Sequence, residues 1–455
     1  MSNFLDTEKT IVAISTPIGA GGISIVRMSG KNAINIADLL FRSMRGVKPS
    51  GFDNNKLVLG RFNGKYAVDK CFCVVFRAPN SFSGENMVEF QCHGGIKITE
   101  LILKDCLNCG AQIAQNGEFS MRAFVNGKMT LSEAEGMIDM INAQSESEIT
   151  AGYSLMSGQL TKKIDIYQKE IIDVLSEIEV SFDYPEEDIE YTTIPVVKKR
   201  LILLNQKLSE LINTSSTGAI IKNGINAVIV GKPNVGKSSI LNALINKNKA
   251  IVTNIAGTTR DIIEDAFEIN GIKVNIVDTA GIHETHDMIE KIGVEKSIDQ
   301  LKTADIVLFV IDNTQKFSKE DSSIYEKIKE KKHIVICNKI DKQTKYNYTS
   351  FDENMLFVSA KNGNNIQQIK QKIYDMVIDS NIISSNIIIT NERHNECLKR
   401  AKKSIEAAIS NIENVTLDLV SIDITDAFSA LGEITGTTSN EVILDSVFSK
   451  FCLGK

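Results

Sequence analysis

The run Gly231-Lys232-Pro233-Asn234-Val235-Gly236-Lys237-Ser238 restricts this chain more than any other stretch, because it is entered from the apolar residues Ala227 to Val230 and followed by the helix-like Ser239-Ile240-Leu241-Asn242-Ala243-Leu244. Strand, glycine-bearing loop and helix together form the setting in which backbone N–H groups and a positive helix end wrap phosphates. In that setting Lys237 neutralises β- and γ-phosphates and the Ser238 hydroxyl ligates Mg²⁺. A ligand-free glycine turn is the bland alternative, and the companion motifs decide against it.

Those companions follow in order: Gly257-Thr258-Thr259-Arg260-Asp261, then Asp278-Thr279-Ala280-Gly281, then Asn338-Lys339-Ile340-Asp341, then Ser359-Ala360-Lys361. Each sits where a strand should end. Lys273 to Val277, Ile306 to Ile311, Ile334 to Cys337 and Met355 to Val358 are short β-like segments separated by polar helical stretches, which predicts a parallel sheet with helices on both faces. Ligands of such sheets lie at the carboxyl edge of the strands. The carboxylate of Asp341 can accept from the ring N–H and exocyclic amine of guanine together, whereas adenine would leave it unpaired. The expected ligand is therefore GTP. Thr259 would complete the Mg²⁺ shell, Asp278 would hold the ion through water, and the Gly281 amide would meet the γ-phosphate, so that both loops respond to hydrolysis. The residue after Gly281 is Ile282, which has no polar atom to orient water; Glu290, Glu284, Glu295 and His283 are nearby, and spacing does not choose among them.

The chain resembles the MnmE (TrmE) family of tRNA-modification GTPases from Thr16-Pro17-Ile18-Gly19-Ala20-Gly21-Gly22-Ile23 to Phe451-Cys452-Leu453-Gly454-Lys455. Between these ends Pro79 to Glu85, His93-Gly94-Gly95, Gly117 to Ser120, Arg122-Ala123-Phe124, Asn126-Gly127-Lys128 and Phe182 to Glu187 match as well. The resemblance implies a multidomain α/β plus α chain: an N-terminal α+β folate-binding and dimerisation domain (1–126), a discontinuous helical domain (127–217 and 380–455), and an inserted P-loop, Ras-like G domain (218–379). It implies GTP contacts from Asn234, Val235, Gly236, Lys237, Ser238 and Ser239, from Thr253, Asn254, Ile255, Ala256, Gly257, Thr258 and Thr259, from Asp278, Thr279, Ala280 and Gly281, and from Asn338, Lys339, Asp341, Ser359, Ala360 and Lys361. It further implies K⁺ held by Asn234 with oxygens at Thr253, Ile255 and Thr258, Glu290 as the residue that orients water, and a cation site closed when two G domains meet. A fixed cation beside the β- and γ-phosphates can replace an arginine finger.

By the same resemblance Arg27, Glu85, Lys128 and Lys455 bind a tetrahydrofolate derivative, 5,10-methylene- or 5-formyl-tetrahydrofolate. The implied assembly is a homodimer that joins an MnmG (GidA) type FAD protein in a heterotetramer and acts on tRNA. The implied reaction adds an aminomethyl or carboxymethylaminomethyl group at C5 of the wobble uridine. Departures from the family pattern are Gly127 and Thr130, around Lys128, and His283, where arginine is common.

Composition agrees with this reading without demanding it. A chain of 455 residues suits two to four domains, and 43% hydrophobic with 24% charged residues is ordinary for a globular protein. No apolar stretch approaches the ~20 residues needed to span a bilayer and Met1 to Lys9 is polar, so a cytoplasmic location is expected. Eight cysteines then read as reduced thiols. Cys71, Cys73, Cys92, His93, Cys106 and Cys109 raise zinc, but Cys71-Phe72-Cys73 lies in an alternating run and Cys106 to Cys109 on a helix-like one, without a knuckle turn. A net charge of -6 offers no global field for RNA, so nucleic acid must meet local patches or a partner.

Before about Asn126, β-like runs cover Ile11 to Ser15, Gly22 to Met28, Leu57 to Phe62, Cys71 to Phe76 and Met87 to Cys92. Thr130 with Glu133 reads as a capping box. Leu160, Ile164, Tyr167, Ile171, Val174 and Ile178, then Val197, Leu201, Leu204, Leu208 and Leu211, form two heptad-like stripes of a helix hairpin, with Pro185 and Pro195 assigned to the break between them. Leu398, Ala401, Ile405, Ala408 and Ile412 repeat the pattern after the G domain. Cys452 can be a nucleophile, a prenylation acceptor or an inert thiol; Gly454 and Lys455 are poor residues for a lipid box. Two other functions share these motifs: an RNA-binding ribosome-assembly GTPase, which calls for an appended basic module, and a folate-dependent transferase with a structural G domain.

Overall fold

The computed structural model describes residues 8–183, 189–245, 265–278, 301, 303–343, 346, 348, 352–378 and 387–454, the side chains of 181–183, 189–193, 265, 277 and 278 excepted. The chain divides into two compact units, the first from Met1–Ile141, Gly152–Asn205 and Arg400–Lys455, the second from Asn142–Ala151 and Gln206–Lys399.

Alternating apolar residues in the N-terminal runs build a seven-stranded sheet in the first unit. Its strands are β1 (Ile11–Ile14), β2 (Ile23–Ser29), β3 (Phe41–Ser43), β4 (Val58–Asn63), β5 (Val68–Phe76), β6 (Met87–His93) and β7 (Gln112–Ile113), in the order β3-β4-β5-β6-β2-β1-β7. Neighbours are antiparallel except β1 and β7. Period-two alternation puts Val26, Met28, Val88, Phe90 and Cys92 on one face, packed with Ala37 and Leu40 of helix Ala33–Leu40 and with Ile102 and Cys106 of helix Ile96–Asn108. Helices Ala33–Leu40 and Glu118–Val125 were not anticipated from the mixed strand-and-turn reading, because eight residues give barely two turns of periodicity.

Helices Gln159–Asp183 and Ile189–Asn213 bury both stripes, no member more than 3% exposed. Gln168 Nε2 donates to the Phe428 carbonyl at 3.1 Å, tying the first of them to helix Leu417–Thr435, and Lys198 pairs with Glu413 at 2.7 Å. Thr130 caps helix Leu131–Asn142 reciprocally, the Thr130 N–H reaching Glu133 Oε2 at 2.8 Å and the Glu133 N–H reaching Thr130 Oγ1 at 3.3 Å. One expectation is corrected. Pro195 lies inside helix Ile189–Asn213, not in the break before it. An interior proline costs about 3 kcal/mol, but five stripe residues buried at roughly 1.5–3 kcal/mol each outweigh it. Pro185 falls outside the described residues.

In the second unit β8 (Ile225–Val230), β9 (Asp265–Ile269), β10 (Ile272–Asp278), β11 (Ile306–Asp312), β12 (His333–Asn338) and β13 (Met355–Phe357) are ordered β13-β12-β11-β8-β10-β9. Five run parallel; β9 is antiparallel to β10, so the sheet is mixed where an all-parallel one was expected. The reason is the pair Asn270-Gly271, at φ 48° and 80°, which makes a two-residue turn between Ile269 and Ile272. Helices Lys237–Ile245 and Ile366–Val377 cover one face through Ile240, Leu244, Ile369 and Ile373. Helix Lys319–Ile328 covers the other through Ile328, packed with Val307 and Phe309. All seven residues of β11 are buried, as a central parallel strand requires.

Leu201→Ala should destabilise the chain by about 2–5 kcal/mol, while Ile166→Ala, at a position 58% exposed, should stay within about 0.5 kcal/mol. Urea denaturation of both variants measures the difference.

Candidate nucleotide site

At the carboxyl end of β8 the chain turns through Gly231 to Gly236 into helix Lys237–Ile245. Gly231 and Gly236 have φ of 151° and 100°, and a Cβ on either would collide: 2.3 Å from the Val310 carbonyl oxygen and 2.4 Å from Asn338 Nδ2. Between them Asn234 takes a left-handed conformation at φ 64°, which asparagine tolerates better than most residues. The side chains of Asn234, Ser238 and Ser239 are exposed, and Val235 is buried beneath the loop. Lys237 Nζ donates to the carbonyls of Gly231 at 2.8 Å and Lys232 at 2.9 Å, which holds its ammonium over the loop. Amides at a helix N-terminus, a cation above them and a hydroxyl in the first turn suit a polyphosphate with its Mg²⁺.

Asn338, at the end of β12 and 2% exposed, joins this loop to the Ser359-Ala360 turn. Its Nδ2 donates to the Val235 carbonyl at 3.1 Å, and its Oδ1 accepts from the Ala360 N–H at 3.1 Å. Lys339, in a left-handed conformation at φ 70°, donates to the Asn234 carbonyl at 2.7 Å and pairs with Asp312 Oδ2 at 2.6 Å. Burial pushes the Asp312 carboxyl up, but hydrogen bonds from Lys339 and Thr314 more than offset it and leave it below its ordinary value. Asp341 is exposed, and Ser359 Oγ donates to its Oδ1 at 2.7 Å. That bond holds the Asp341 carboxyl below its ordinary value, so an acceptor-only group faces outward, as guanine requires. Ser359 itself is fully buried, while Lys361 is exposed.

The structure thus gathers Asn234 to Ser239, Asn338, Lys339, Asp341 and Ser359 to Lys361 at one sheet edge. Asp278 ends β10, and its backbone alone is described. Thr253, Asn254, Ile255, Ala256, Gly257, Thr258, Thr259, Thr279, Ala280, Gly281, Glu290 and Lys455 lie outside the described residues. Sequence reasoning missed Asp312. Its signal was a lone carboxylate closing an otherwise apolar strand, beside a strand that ends in Asn338.

A second cluster lies in the first unit. Arg27 Nε pairs with Glu89 Oε1 at 2.7 Å, its guanidinium 5.7 Å from the Phe82 ring centre and 5.8 Å from that of Phe119. Ser29, two residues on and on the same face, donates to Glu85 Oε2 at 2.6 Å. The fully buried Arg122 reaches Glu85 at 3.2 Å and Glu118 at 2.8 Å. Lys128 is exposed beside Gly84, where a Cβ would lie 3.3 Å from its Cε. The C-terminal tail arrives nearby: Ser15 Oγ donates to the Gly454 carbonyl at 3.0 Å, just past β1, whose Ala13 pairs with Arg27. Cys452 is exposed in that tail. Cys71, Cys73, Cys92 and Cys106 belong to the sheet core, where burial pushes each thiol up, Cys71 to about 12, which disfavours thiolate ligands.

Asn338→Ala removes both of its links between the loop and the Ser359-Ala360 turn and takes a partner from the buried Val235 carbonyl, at roughly 1–3 kcal/mol, and from the half-buried Ala360 N–H. Affinity for a fluorescent guanine nucleotide should fall at least tenfold, read by titration.

Residues 131–452 match the family model described as the MnmE helical domain, and residues 10–128 match that of the GTP-binding protein TrmE N-terminus. Relatives described as tRNA modification GTPase MnmE align along nearly the whole chain. That of Acetivibrio thermocellus is 42% identical over 98% of this chain and 99% of its own length. Those of Clostridioides difficile and Desulforamulus reducens are each 39% identical over 98% of this chain and 99% and 100% of theirs. On both family models and on this near end-to-end identity, the chain belongs to the MnmE (TrmE) family.

Proposed function

We propose that this chain is a K⁺-dependent GTP hydrolase which, with an MnmG (GidA) type flavoprotein, modifies C5 of the wobble uridine of certain tRNAs. Family membership supports GTP hydrolysis in tRNA modification, and its relatives carry that description. The observation that carries the nucleotide half of the reading is the double hydrogen bond of Asn338, which holds phosphate loop and base-facing carboxylate in one frame.

In the proposed reaction the amides of Asn234, Val235 and Gly236 and the helix end at Lys237 receive the phosphates, and Lys237, its ammonium steadied by the Gly231 and Lys232 carbonyls, gives its remaining proton to the β- and γ-phosphate oxygens. Ser238 and Thr259 would ligate Mg²⁺, which supplies charge neutralisation when bound. Asp341 selects the base, with Ser359, Ala360 and Lys361 beside it. By the family resemblance Glu290 orients the attacking water, a role that Ile282, with no polar atom, cannot fill. Asn234, with oxygens at Thr253, Ile255 and Thr258, would hold K⁺, which when bound offsets the charge growing between the β- and γ-phosphates. Hydrolysis should be fast in K⁺ and poor in Na⁺; equal rates in the two salts would reject the cation role.

The N-terminal cluster fits a folate in chemical type: Glu85 offers a carboxylate to pterin amines, and Arg27, Lys128 and Lys455 offer cations to the glutamate tail. A reduced folate would supply the one-carbon unit. We assign folate binding and homodimerisation to 1–126, the helical domain to 127–217 and 380–455, and the G domain to 218–379. In cells lacking this chain, mass spectrometry of tRNA wobble nucleosides should show loss of the aminomethyl or carboxymethylaminomethyl group, restored by the wild-type chain and not by Lys237→Ala. Full restoration by Lys237→Ala would show that GTP cleavage is dispensable.

A further inference from the structure

We infer that Lys232 and Asp321 form a clamp that positions the phosphate loop, with Lys232 acting on the nucleotide through Lys237 and not by direct contact; the inference rests on the GTP-binding reading above. Lys232 is a cation inside the loop proposed to hold phosphates, yet its ammonium is engaged by a second helix. It pairs with Asp321 Oδ2 at 2.7 Å and donates to Ser318 Oγ at 3.0 Å. Both partners belong to the N-terminus of helix Lys319–Ile328, where Ser318 and Asp321 make a reciprocal capping box: the Ser318 N–H reaches Asp321 Oδ2 at 2.8 Å and the Asp321 N–H reaches Ser318 Oγ at 3.4 Å. The same carboxylate oxygen therefore caps a helix and anchors the loop. Meanwhile the carbonyl of Lys232 accepts from Lys237 Nζ at 2.9 Å. One residue thus joins a fixed helix end, through its side chain, to the lysine that would meet the phosphates, through its backbone.

Three features favour positioning over simple stabilisation. The pair is largely buried, with side chains 14% and 3% exposed, and a buried ion pair is weak evidence of net stability because desolvation opposes the attraction. Asp321 Oδ1 is buried and has no hydrogen-bond partner among the described residues, a cost that an apolar pair would not carry. Pro233 follows directly with its restricted φ, so fixing Lys232 fixes the entry to the turn that Gly236 closes.

The decisive variant is the double substitution Lys232→Met with Asp321→Asn, which removes both charges together and leaves an asparagine to accept at the helix cap. In the full-length chain it should melt close to wild type, yet bind a fluorescent GDP roughly 10- to 100-fold more weakly, the loss typical when a group that orients a ligand-binding residue is removed. Each single substitution should weaken GDP by a similar factor and the double by no more than either, while Lys232→Arg should retain binding. Steady-state hydrolysis should show the loss in KM for GTP, with kcat changed less. Wild-type GDP affinity in the double variant would overturn the clamp. Losses that multiply in the double variant would overturn it too, because they would mean that Lys232 touches the nucleotide independently. Failure of the wild-type chain to bind GDP would instead overturn the nucleotide reading on which the clamp rests.

Discussion

The side-chain amide of Asn338 is the interaction on which the second unit's site depends. Phosphate loop and base-facing turn come from opposite ends of the unit's sequence and would otherwise be set by separate loop conformations, which are the parts of a fold least constrained by packing. A buried amide with one donor on Val235 and one acceptor from Ala360 fixes both to the end of β12. Lys339 adds a second tie, from Asp312 on β11 to the Asn234 carbonyl. Because the bonds of the Asn338 amide and the Lys339–Asp312 pair are buried or half-buried, those links are worth more than the same contacts in water, and losing one partner strands another. The strand order places β8, β11 and β12 side by side, so the three strand ends that carry loop, carboxylate and amide are neighbours in the sheet.

The first unit solves a different problem, that of holding charge inside a sheet domain. Arg122 has no exposed surface and reaches two carboxylates, Glu85 and Glu118, plus the Lys9 carbonyl. Its immobilisation fixes Glu85 against Ser29, and Arg27 is fixed in turn by Glu89. The tail is brought to this cluster by packing rather than charge. Phe448 and Phe451 bury against Met121 and Leu131, with the ring of Phe124 6.0 Å from that of Phe448, and the chain then runs on to meet Ser15.

Strand and helix identity were legible where periodicity was long. The stripes from Leu160 to Ile178 and from Val197 to Leu211 give four or more turns each, and every predicted position is buried. The phosphate loop and the β8, β11 and β12 runs were legible because buried parallel strands read as unbroken apolar segments. What escaped is equally physical. Strand β9 mixes charged and apolar residues, and only the Asn270-Gly271 turn signalled that it folds back. Pro195 read as a breaker because local preference was weighed without the packing that overrides it. The motif residues could be named from the sequence, but the groups that hold them could not: Asp312 and Asp321 were passed over and Arg122 entered only as part of a matching segment with no role, since a supporting side chain is defined by a partner distant in sequence.

On the proposed reading one carboxylate, Asp341, fixed by Ser359 and carried on a frame held by Asn338, selects the purine. Competition binding of GTP, ATP and xanthosine triphosphate to the wild-type chain and to Asp341→Asn measures it most directly. The wild-type chain should prefer GTP over ATP by several orders of magnitude, a polar site rejecting an unmatched analogue by about 10⁴-fold or more. In the variant, the amide can donate where the carboxylate could only accept, so preference should move toward xanthine, whose C2 carries an acceptor in place of the amine. ATP bound as tightly as GTP by the wild-type chain, or an unchanged preference in the variant, would contradict the account.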